Sequence, residues 1–337
     1  MKHRALRGVN LGGWLIVEQW MTPSLFKGID GARDEYTLSQ TEKGRKRIRK
    51  HRRTFIQESD FVWLAAHDVE LVRIPFGYWL FRDTSEYVGG LDELDWAMRM
   101  AEKYQIKVLL DLHALPGSQN GNDHSGRKGE MKWFDDAEFR RASVAICVDA
   151  AERYKDSPAL WGFEVINEPN FSWITQWSLR KYYFKAYRKV LKILPDDVYV
   201  VFSDAFRPWL LTGALRDNHS QRVAMDIHWY SFGVNWQKLS TLNEYYKKVQ
   251  RRARTLKWLQ KIHPVIIGEW SMTLAKESYE KLGDQALHVA EKDHLQVQLD
   301  MYEDALAHIY WSYKTEAPGG WNYRDIVEKG LLSGVKK

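Results

Sequence analysis

The chain has 337 residues, 45% of them hydrophobic and 28% charged, a composition that supports a sizeable core and excludes an intrinsically disordered chain. Fifty basic side chains against 44 acidic ones leave a mild net charge of +6, and the lone cysteine, Cys147, excludes an internal disulfide and any Cys-based zinc cage. A single α/β barrel takes about 250 residues plus insertions, so residues 1–337 are expected to form one domain.

The N-terminal stretch "MKHRALRGVN" carries basic residues with no apolar h-region behind it. As it stands the chain is expected to be cytoplasmic, or secreted had a leader been removed, and without an 18-residue apolar run it is expected to have no membrane partner. The first predicted strand is "LRGVNL" (6–11). The basic run "KGRKRIRKHRR" (Lys43 to Arg53) could be a nucleic-acid patch, because clustered Lys and Arg neutralise phosphates. The favoured reading is a solvated helix without a nucleic-acid partner, since no RNA-binding aromatic signature interrupts it. It leads into "TFIQESDFVWLAAH", where Thr54 and Gln57 have capping-box spacing and Phe61, Leu64 and Ala65 follow at helical intervals.

Strands are then predicted at "VELVRIPF" (69–76) and "KVLLDLH" (107–113), with an amphipathic helix over 91–105 between them. Cys147 reads as a small buried hydrophobe on a later helix. Further strands follow at "LWGFEVIN" (160–167), "VYVVFS" (198–203), "VAMDIHWY" (223–230), "PVIIGEW" (264–270) and "HIYWSYK" (308–314), with a helix over 181–193. Most of these runs are apolar almost throughout, as in strands buried on both faces of a parallel sheet, and the intervals leave room for a helix in each crossover. Eight such units predict an α/β fold of the closed (β/α)8 TIM barrel type. An open doubly wound sheet is the alternative, but it carries a Gly-rich phosphate turn that "GVNLGG" does not supply.

In a (β/α)8 barrel the active site lies at the C-terminal ends of the strands. Arg73 is placed at the end of the second strand, His113 of the third, Asn167 and Glu168 of the fourth, His228 and Tyr230 of the sixth, Glu269 of the seventh and Trp311 of the eighth. Any one of them could be a satisfied interior polar group, but their repetition across six strands points to one mouth. Glu168 and Glu269 end strands that face each other. Retaining glycoside hydrolysis needs two carboxyl groups about 5–5.5 Å apart, one protonated and one ionised. Arg73 and Tyr230 are suited to hold Glu269 ionised as a nucleophile, and Glu168 would need a raised pKa to act as acid and then base. Asn167 can donate to a sugar hydroxyl, and Trp311 offers a face to a pyranose. Trp14, Trp63 and Trp161 read as core or support. His113, His228 and Glu269 lack compact zinc-ligand spacing, and neither a G-x-S-x-G elbow nor a Walker loop occurs. No metal is expected.

The ordered set "RGVNLGGWLIVEQWMTPSLF", "VRIPFGYW", "LDLHALPGSQNG", "INEP", "HWY", "IIGEWS" and "WSYKTEAPGGWNY" resembles glycoside hydrolase family 5, most closely its exo-β-1,3-glucanase branch, over Arg7 to about Leu332. The resemblance implies a (β/α)8 barrel, a retaining mechanism and no cofactor. Carried over, the acid/base falls on Glu168 and the nucleophile on Glu269, with sugar contacts from Arg73, His113, Asn167, His228, Tyr230 and Trp311. It also implies a glucose-pocket carboxylate from the first loop at Glu18. Fungal members read "GSQNGFDNSG" where this chain has "GSQNGNDHSG", so the entrance set becomes Asn122, Asp123 and His124. The chain is also shorter between Glu269 and Trp311. The implied partner is a β-glucan or gluco-oligosaccharide from whose non-reducing end glucose is released, most plainly through β-1,3 linkages with β-1,6 or β-1,4 side activity. The alternatives are an endo-β-1,4-glucanase of the same family and an inactive glucan-binding protein. No residue pattern sets an oligomeric state.

Overall fold

The computed structural model describes residues 4–211, 222–231, 242–274 and 284–332. Eight parallel strands close into a barrel in chain order: β1 (Leu6–Asn10), β2 (Leu71–Gly77), β3 (Lys107–Ala114), β4 (Leu160–Glu164), β5 (Tyr199–Ser203), β6 (Val223–His228), β7 (Val265–Trp270) and β8 (Ala307–Tyr310), with β8 pairing back onto β1. All eight expected strands are present. Four stop earlier than their expected runs, β1 and β6 by one or two residues and β4 and β8 by three or four. The chain beyond β4 leaves the ladder yet stays laid along it, because Val165 donates its N–H to the Val201 carbonyl at 3.1 Å and Asn167 to that of Leu112 at 3.2 Å. Beyond β8, the Trp311 N–H bonds the Trp270 carbonyl and the Tyr313 N–H that of Asn10, each at 2.8 Å.

The helices, in chain order, are α1 (Pro23–Phe26), α2 (Glu35–Ser39), α3 (Glu42–Thr54), α4 (Glu58–Ala66), α5 (Leu91–Lys103), α6 (Ala137–Tyr154), α7 (Gln176–Val190), α8 (Pro208–Leu211), α9 (Leu242–Leu259), α10 (Asp284–Tyr302) and α11 (Tyr323–Glu328). The cap expected at Thr54 lies elsewhere, since Thr54 is the last residue of α3. Gln57 caps α4, and Asp60 closes the reciprocal box through the Gln57 N–H at 2.8 Å. Cys147 is buried in α6, where burial pushes its thiol up to about 12.

The basic run is a helix, but only one face of it is solvated. Gly44, Ile48, His51 and Arg52 are buried. Arg52 reaches the Glu35 carboxylate at 2.5 Å and the carbonyls of Leu15, Val88 and Gly89, while Glu35 accepts the Val17 N–H at 2.9 Å. One arginine thereby ties α2, the first barrel loop and the approach to α5. Trp14 donates its indole N–H to the Arg52 carbonyl, and Trp161 lies in the barrel interior. Trp63 stacks half-buried on His67.

The barrel interior is layered. Leu71, Leu109, Val201, Ala224, Ile266 and Ile309 form part of an apolar plug. Two residues further along five of these strands stand Arg73, Asp111, Ser203, Asp226 and Gly268, and since side chains alternate faces with period two, this second layer sits directly above the plug. Arg73 is therefore an interior residue of β2 and not its end.

The buried Arg52 pair gives a stability test. Arg52→Ala leaves Glu35 without its cation and is expected to lower the unfolding free energy by about 3–5 kcal/mol in urea titration. Lys46→Ala, on the exposed face of the same helix, should stay within about 0.5 kcal/mol of the parent.

Candidate active site

Arg73 is fully buried and makes bonds in every direction. Its Nε donates to Glu164 Oε2 at 2.8 Å, Nη1 to Asn10 Oδ1 and Glu269 Oε1 at 3.0 Å each, and Nη2 to Asn167 Oδ1 at 2.9 Å, with Asp111 Oδ2 3.0 Å from Nη2. Burial alone would loosen its proton. The surrounding carboxylates outweigh that, and the guanidinium stays charged. One cation does not neutralise them all. Burial pushes Asp111 up to about 7 and Glu164 well above the usual carboxylate range, against the pull of Arg73, so these two are the places where protons are retained. Asp226 behaves differently. Although burial opposes ionisation, the His228 charge, Arg73 and the Gly268 N–H at 2.7 Å hold it below its ordinary value. Only glycine fits at that N–H, because a Cβ on residue 268 would stand 2.0 Å from Asp226 Oδ2.

His228 connects the two candidate catalytic carboxylates. Its Nδ1 lies 2.6 Å from Glu168 Oε1 and 3.4 Å from Glu269 Oε2, and its Nε2 lies 3.3 Å from Asp226 Oδ2. Burial would make the ring neutral, but Glu269 and Asp226 raise it well above the ordinary imidazole value. Tyr230 donates its hydroxyl to Glu269 Oε2 at 2.7 Å. An oxygen of Glu168 and one of Glu269 lie within 4.8 Å of each other. That is near the separation of about 5–5.5 Å found in retaining pairs and short of the roughly 6.5–9.5 Å that inversion requires.

The charge states differ from the sequence expectation. Glu168 was expected to be raised and Glu269 to be held ionised. Burial does push Glu168 up, but the hydrogen bond and charge of His228, with His124 and His113 adding to them, outweigh it and bring the carboxyl down to about 2. Glu269 is raised by burial, with His228 and Arg73 opposing and Glu168 adding to the rise. The physical reason is the location of one proton. The surrounding carboxylates favour it on the His228 ring, whose Nδ1 lies 2.6 Å from the Glu168 oxygen that would otherwise carry it.

Around this centre opens a cavity of about 840 Å³. Glu18, His113, His124, Asn167, Glu168, His228, Tyr230, Glu269 and Trp311 line it, with Arg73 beneath. Asn122 and Asp123 are not in the lining. Asn122 is exposed, and its carbonyl accepts the Ser125 hydroxyl at 2.7 Å beside the short Asp123–Ser125 turn. Asp123 is half-buried; its Oδ1 accepts the His124 N–H at 3.2 Å and its charge helps raise Glu18. Burial pushes Glu18 up to about 8, partly offset by the Trp20 indole N–H at 2.9 Å, so at neutral pH it is a donor as well as an acceptor. His113 is neutral, lowered by burial and by His124. Its Nδ1 proton faces Asp111 at 2.6 Å and its Nε2 accepts the Asn167 amide at 3.3 Å, and its ring stacks parallel to Trp311 at 5.8 Å. Those bonds aim the Asn167 carbonyl at Arg73 and leave one amide hydrogen for a ligand.

Sequence reading missed Asp111, Glu164 and Asp226 beneath the mouth and Trp20, Asp204, Phe206 and Trp321 in its wall. A signal existed for two of them. Asp111 and Asp226 each stand two residues before a site histidine inside an apolar strand, hence on the same face. Two sets of three ligand atoms cluster within 4.8 Å among the described residues, Glu164 with Asp226 and His228, and Glu168 with His228 and Glu269. A metal in either would lie beside the protein's own cations, Arg73 and His228, which already face these oxygens.

A parallel eight-stranded barrel with two facing carboxylates at its C-terminal mouth, a buried arginine below them and indoles around them defines a sugar-cleaving hydrolase. The family model for cellulase (glycosyl hydrolase family 5) matches residues 39–317, and the chain belongs to that family. It is 34% identical over 371 residues to a probable glucan 1,3-beta-glucosidase A of Aspergillus clavatus, covering 97% of this chain and 87% of the relative. It is 32% identical over 379 residues to a glucan 1,3-beta-glucosidase of Kluyveromyces lactis, covering 97% and 88%. Among solved structures, rutinosidase from Aspergillus niger superposes with a TM-score of 0.84 over 98% of both chains at 21% identity, a likeness of fold.

The shared proton makes a kinetic prediction. In His228→Asn, Glu269 loses a neighbouring positive charge, so the acidic limb of kcat/KM should move to higher pH. The Glu168 site loses its second proton-holding group, so the alkaline limb should move to lower pH. The pH profile on an aryl β-glucoside is therefore expected to narrow from both sides, with kcat reduced by about 10²-fold. An unshifted bell would show that the ring holds no proton for either carboxyl.

Proposed function

We propose that the chain is a retaining, exo-acting β-glucosidase that releases glucose from the non-reducing ends of β-1,3-linked glucans or gluco-oligosaccharides, with Glu269 as nucleophile and Glu168 as acid and base. The observation that carries this reading is the approach of the two carboxylates to within 4.8 Å at one cavity. The linkage and the exo mode are supported by the names of the relatives in Aspergillus clavatus and Kluyveromyces lactis.

The chemistry runs in two displacements. Glu269 Oε attacks the anomeric carbon as the bond to the leaving oxygen breaks, and that oxygen takes a proton from Glu168. The proton reaches Glu168 across the 2.6 Å contact with His228 Nδ1. The glycosyl ester is then opened by water, whose proton goes to Glu168 while Glu269 departs as a carboxylate. Two inversions give net retention. Throughout, Arg73 and Tyr230 hold Glu269 in line by donated bonds, and the free Asn167 amide hydrogen is placed to meet a sugar hydroxyl, a contact that strengthens as charge develops on the ring. Glu18 and Trp20 serve as a polar and an apolar wall for the terminal glucose.

Two measurements separate this from its rivals. Glu269→Gln is expected to lose about 10⁴-fold or more in kcat while still binding glucose, as read by tryptophan fluorescence. Glu168→Gln should still be glycosylated by an aryl glucoside with a good leaving group, then stall, with azide restoring turnover as the β-glucosyl azide. Near-parental turnover in Glu269→Gln rejects the assignment. On laminarihexaose, glucose should be the sole product from the earliest time, released as the β-anomer by NMR. Early laminaribiose or laminaritriose would favour endo cleavage instead.

A further inference from the structure

The barrel flank built from the crossovers after β4, β5 and β6 carries features that cleavage of a soluble glucan does not use. In the loop from β4 into α7, Trp173 and Ile174 stand 74% and 89% exposed, and Trp177 in the first turn of α7 is 65% exposed. Phe184, two turns on, is half exposed with the Arg188 guanidinium 5.0 Å from its ring centre. The surface continues across α8. Arg180 of α7 donates to the Leu210 carbonyl, and exposed Trp209 meets the ring of Trp258 of α9 at 4.5 Å. Large apolar side chains gathered in one exposed region mark a surface that meets something else.

The charge on the same flank is one-sided. Helix α7 carries five basic side chains and no acidic one, and α9 carries six basic and one acidic. Together these two helices exceed the net +6 of the whole chain, so the remainder is net negative. Lys181, Lys185 and Lys189 on α7 and Lys247, Arg251 and Arg254 on α9 are exposed.

We propose that this flank docks the enzyme peripherally on a bilayer bearing anionic lipid head groups, with Trp173 and Ile174 entering the interface and the α7 and α9 cations facing the head groups. Indoles favour the boundary between hydrocarbon and water, an aliphatic tip favours the acyl region, and clustered Lys and Arg gain from a negative surface potential. A neutral glucan explains less, because it offers the cations nothing and Ile174 has no flat face for a pyranose. A nucleic acid matches the charge but not the exposed aliphatic tip. No described helix is long and apolar enough to cross a membrane, so the contact is superficial. The loop that carries Trp173 leaves the barrel at the end where Glu168 stands, which sets the cavity mouth beside the docked surface.

Cosedimentation of the full chain with vesicles tests this. Binding to phosphatidylcholine vesicles containing phosphatidylserine is expected to be at least about tenfold stronger than to phosphatidylcholine alone, and to fall away near 1 M salt. Trp173→Ser combined with Ile174→Ser, and Lys181→Glu combined with Lys185→Glu, should each weaken it about tenfold or more with an unchanged unfolding midpoint. Equal binding to both vesicle types, or full binding by either double variant, overturns the proposal. Retention on laminarin or heparin gels without vesicle binding does so too, in favour of a glucan platform or a polyanion site respectively. The readout needs no turnover, so its failure and that of the glucosidase reading are distinguishable.

Discussion

The interaction on which the rest of the site depends is the burial of Arg73 among carboxylates. Its guanidinium touches Asn10 from β1, Asp111 from β3, Glu164 from β4, Asn167 beyond β4 and Glu269 from β7, so one side chain fixes the relative positions of groups from four other strands. Burying such a cluster is expensive, and ion pairs in a protein interior rarely repay their desolvation. The barrel carries that cost through what lies beneath, a plug of aliphatic side chains that needs no polar partner. The polar layer around Arg73 thus serves the site at its rim, and the plug and the outer helices hold the fold.

Much of this was legible in the residues. Strands buried on both faces leave apolar runs, and eight of them at barrel-like intervals could be counted directly; the polar residues toward the ends of six of them marked the mouth. Arg73 was misplaced because its run continues past it to Phe76, so its position in the chain suggested an end where the register gives an interior. The cap of α4 was misplaced for a related reason. Thr54 has the right spacing from Gln57, yet the preceding helix keeps its hydrogen-bond ladder through Thr54 and leaves Gln57 as the first residue free to cap. The buried acids Asp111, Glu164 and Asp226 were passed over as interruptions of strands. Their meaning depends on Arg73, which approaches from a different strand, and no local pattern carries that. The same holds for Arg52, one of several arginines in a basic run, singled out only by the buried Glu35 that meets it.

Charge state was the least legible property, because it is set by distances across the barrel. Two buried carboxyls within 4.8 Å of each other repel one another, and nothing in their own chemistry decides which keeps a proton. Their partners decide it. Glu269 is held by Arg73 and Tyr230, which only donate near neutral pH, since one stays charged and the phenol is raised well above its ordinary value by burial and by Glu269 itself. Neither surrenders a proton. Glu168 instead faces His228, a ring that can donate a hydrogen bond while charged or give the proton up and remain in place.

On the proposed assignment, that asymmetry is how a Glu168 held ionised by His228 would still serve as an acid. Drawing a proton from solvent into this mouth would favour Glu269, whose pKa is raised, and would disable it as the proposed nucleophile. Passing it from Nδ1 to Oε1 across 2.6 Å instead uses a proton already in the cavity and leaves its total charge unchanged. His228 is in turn kept charged by Glu269 and by Asp226 on its other nitrogen, and Asp226 is kept ionised by His228 itself and by Arg73, with the Gly268 N–H, at a position too close for any side chain, adding to the hold. In the proposed reaction the dependence therefore runs through a buried aspartate and an imidazolium that hold each other charged, above a glycine that leaves room for the aspartate, to the proton offered to the leaving oxygen.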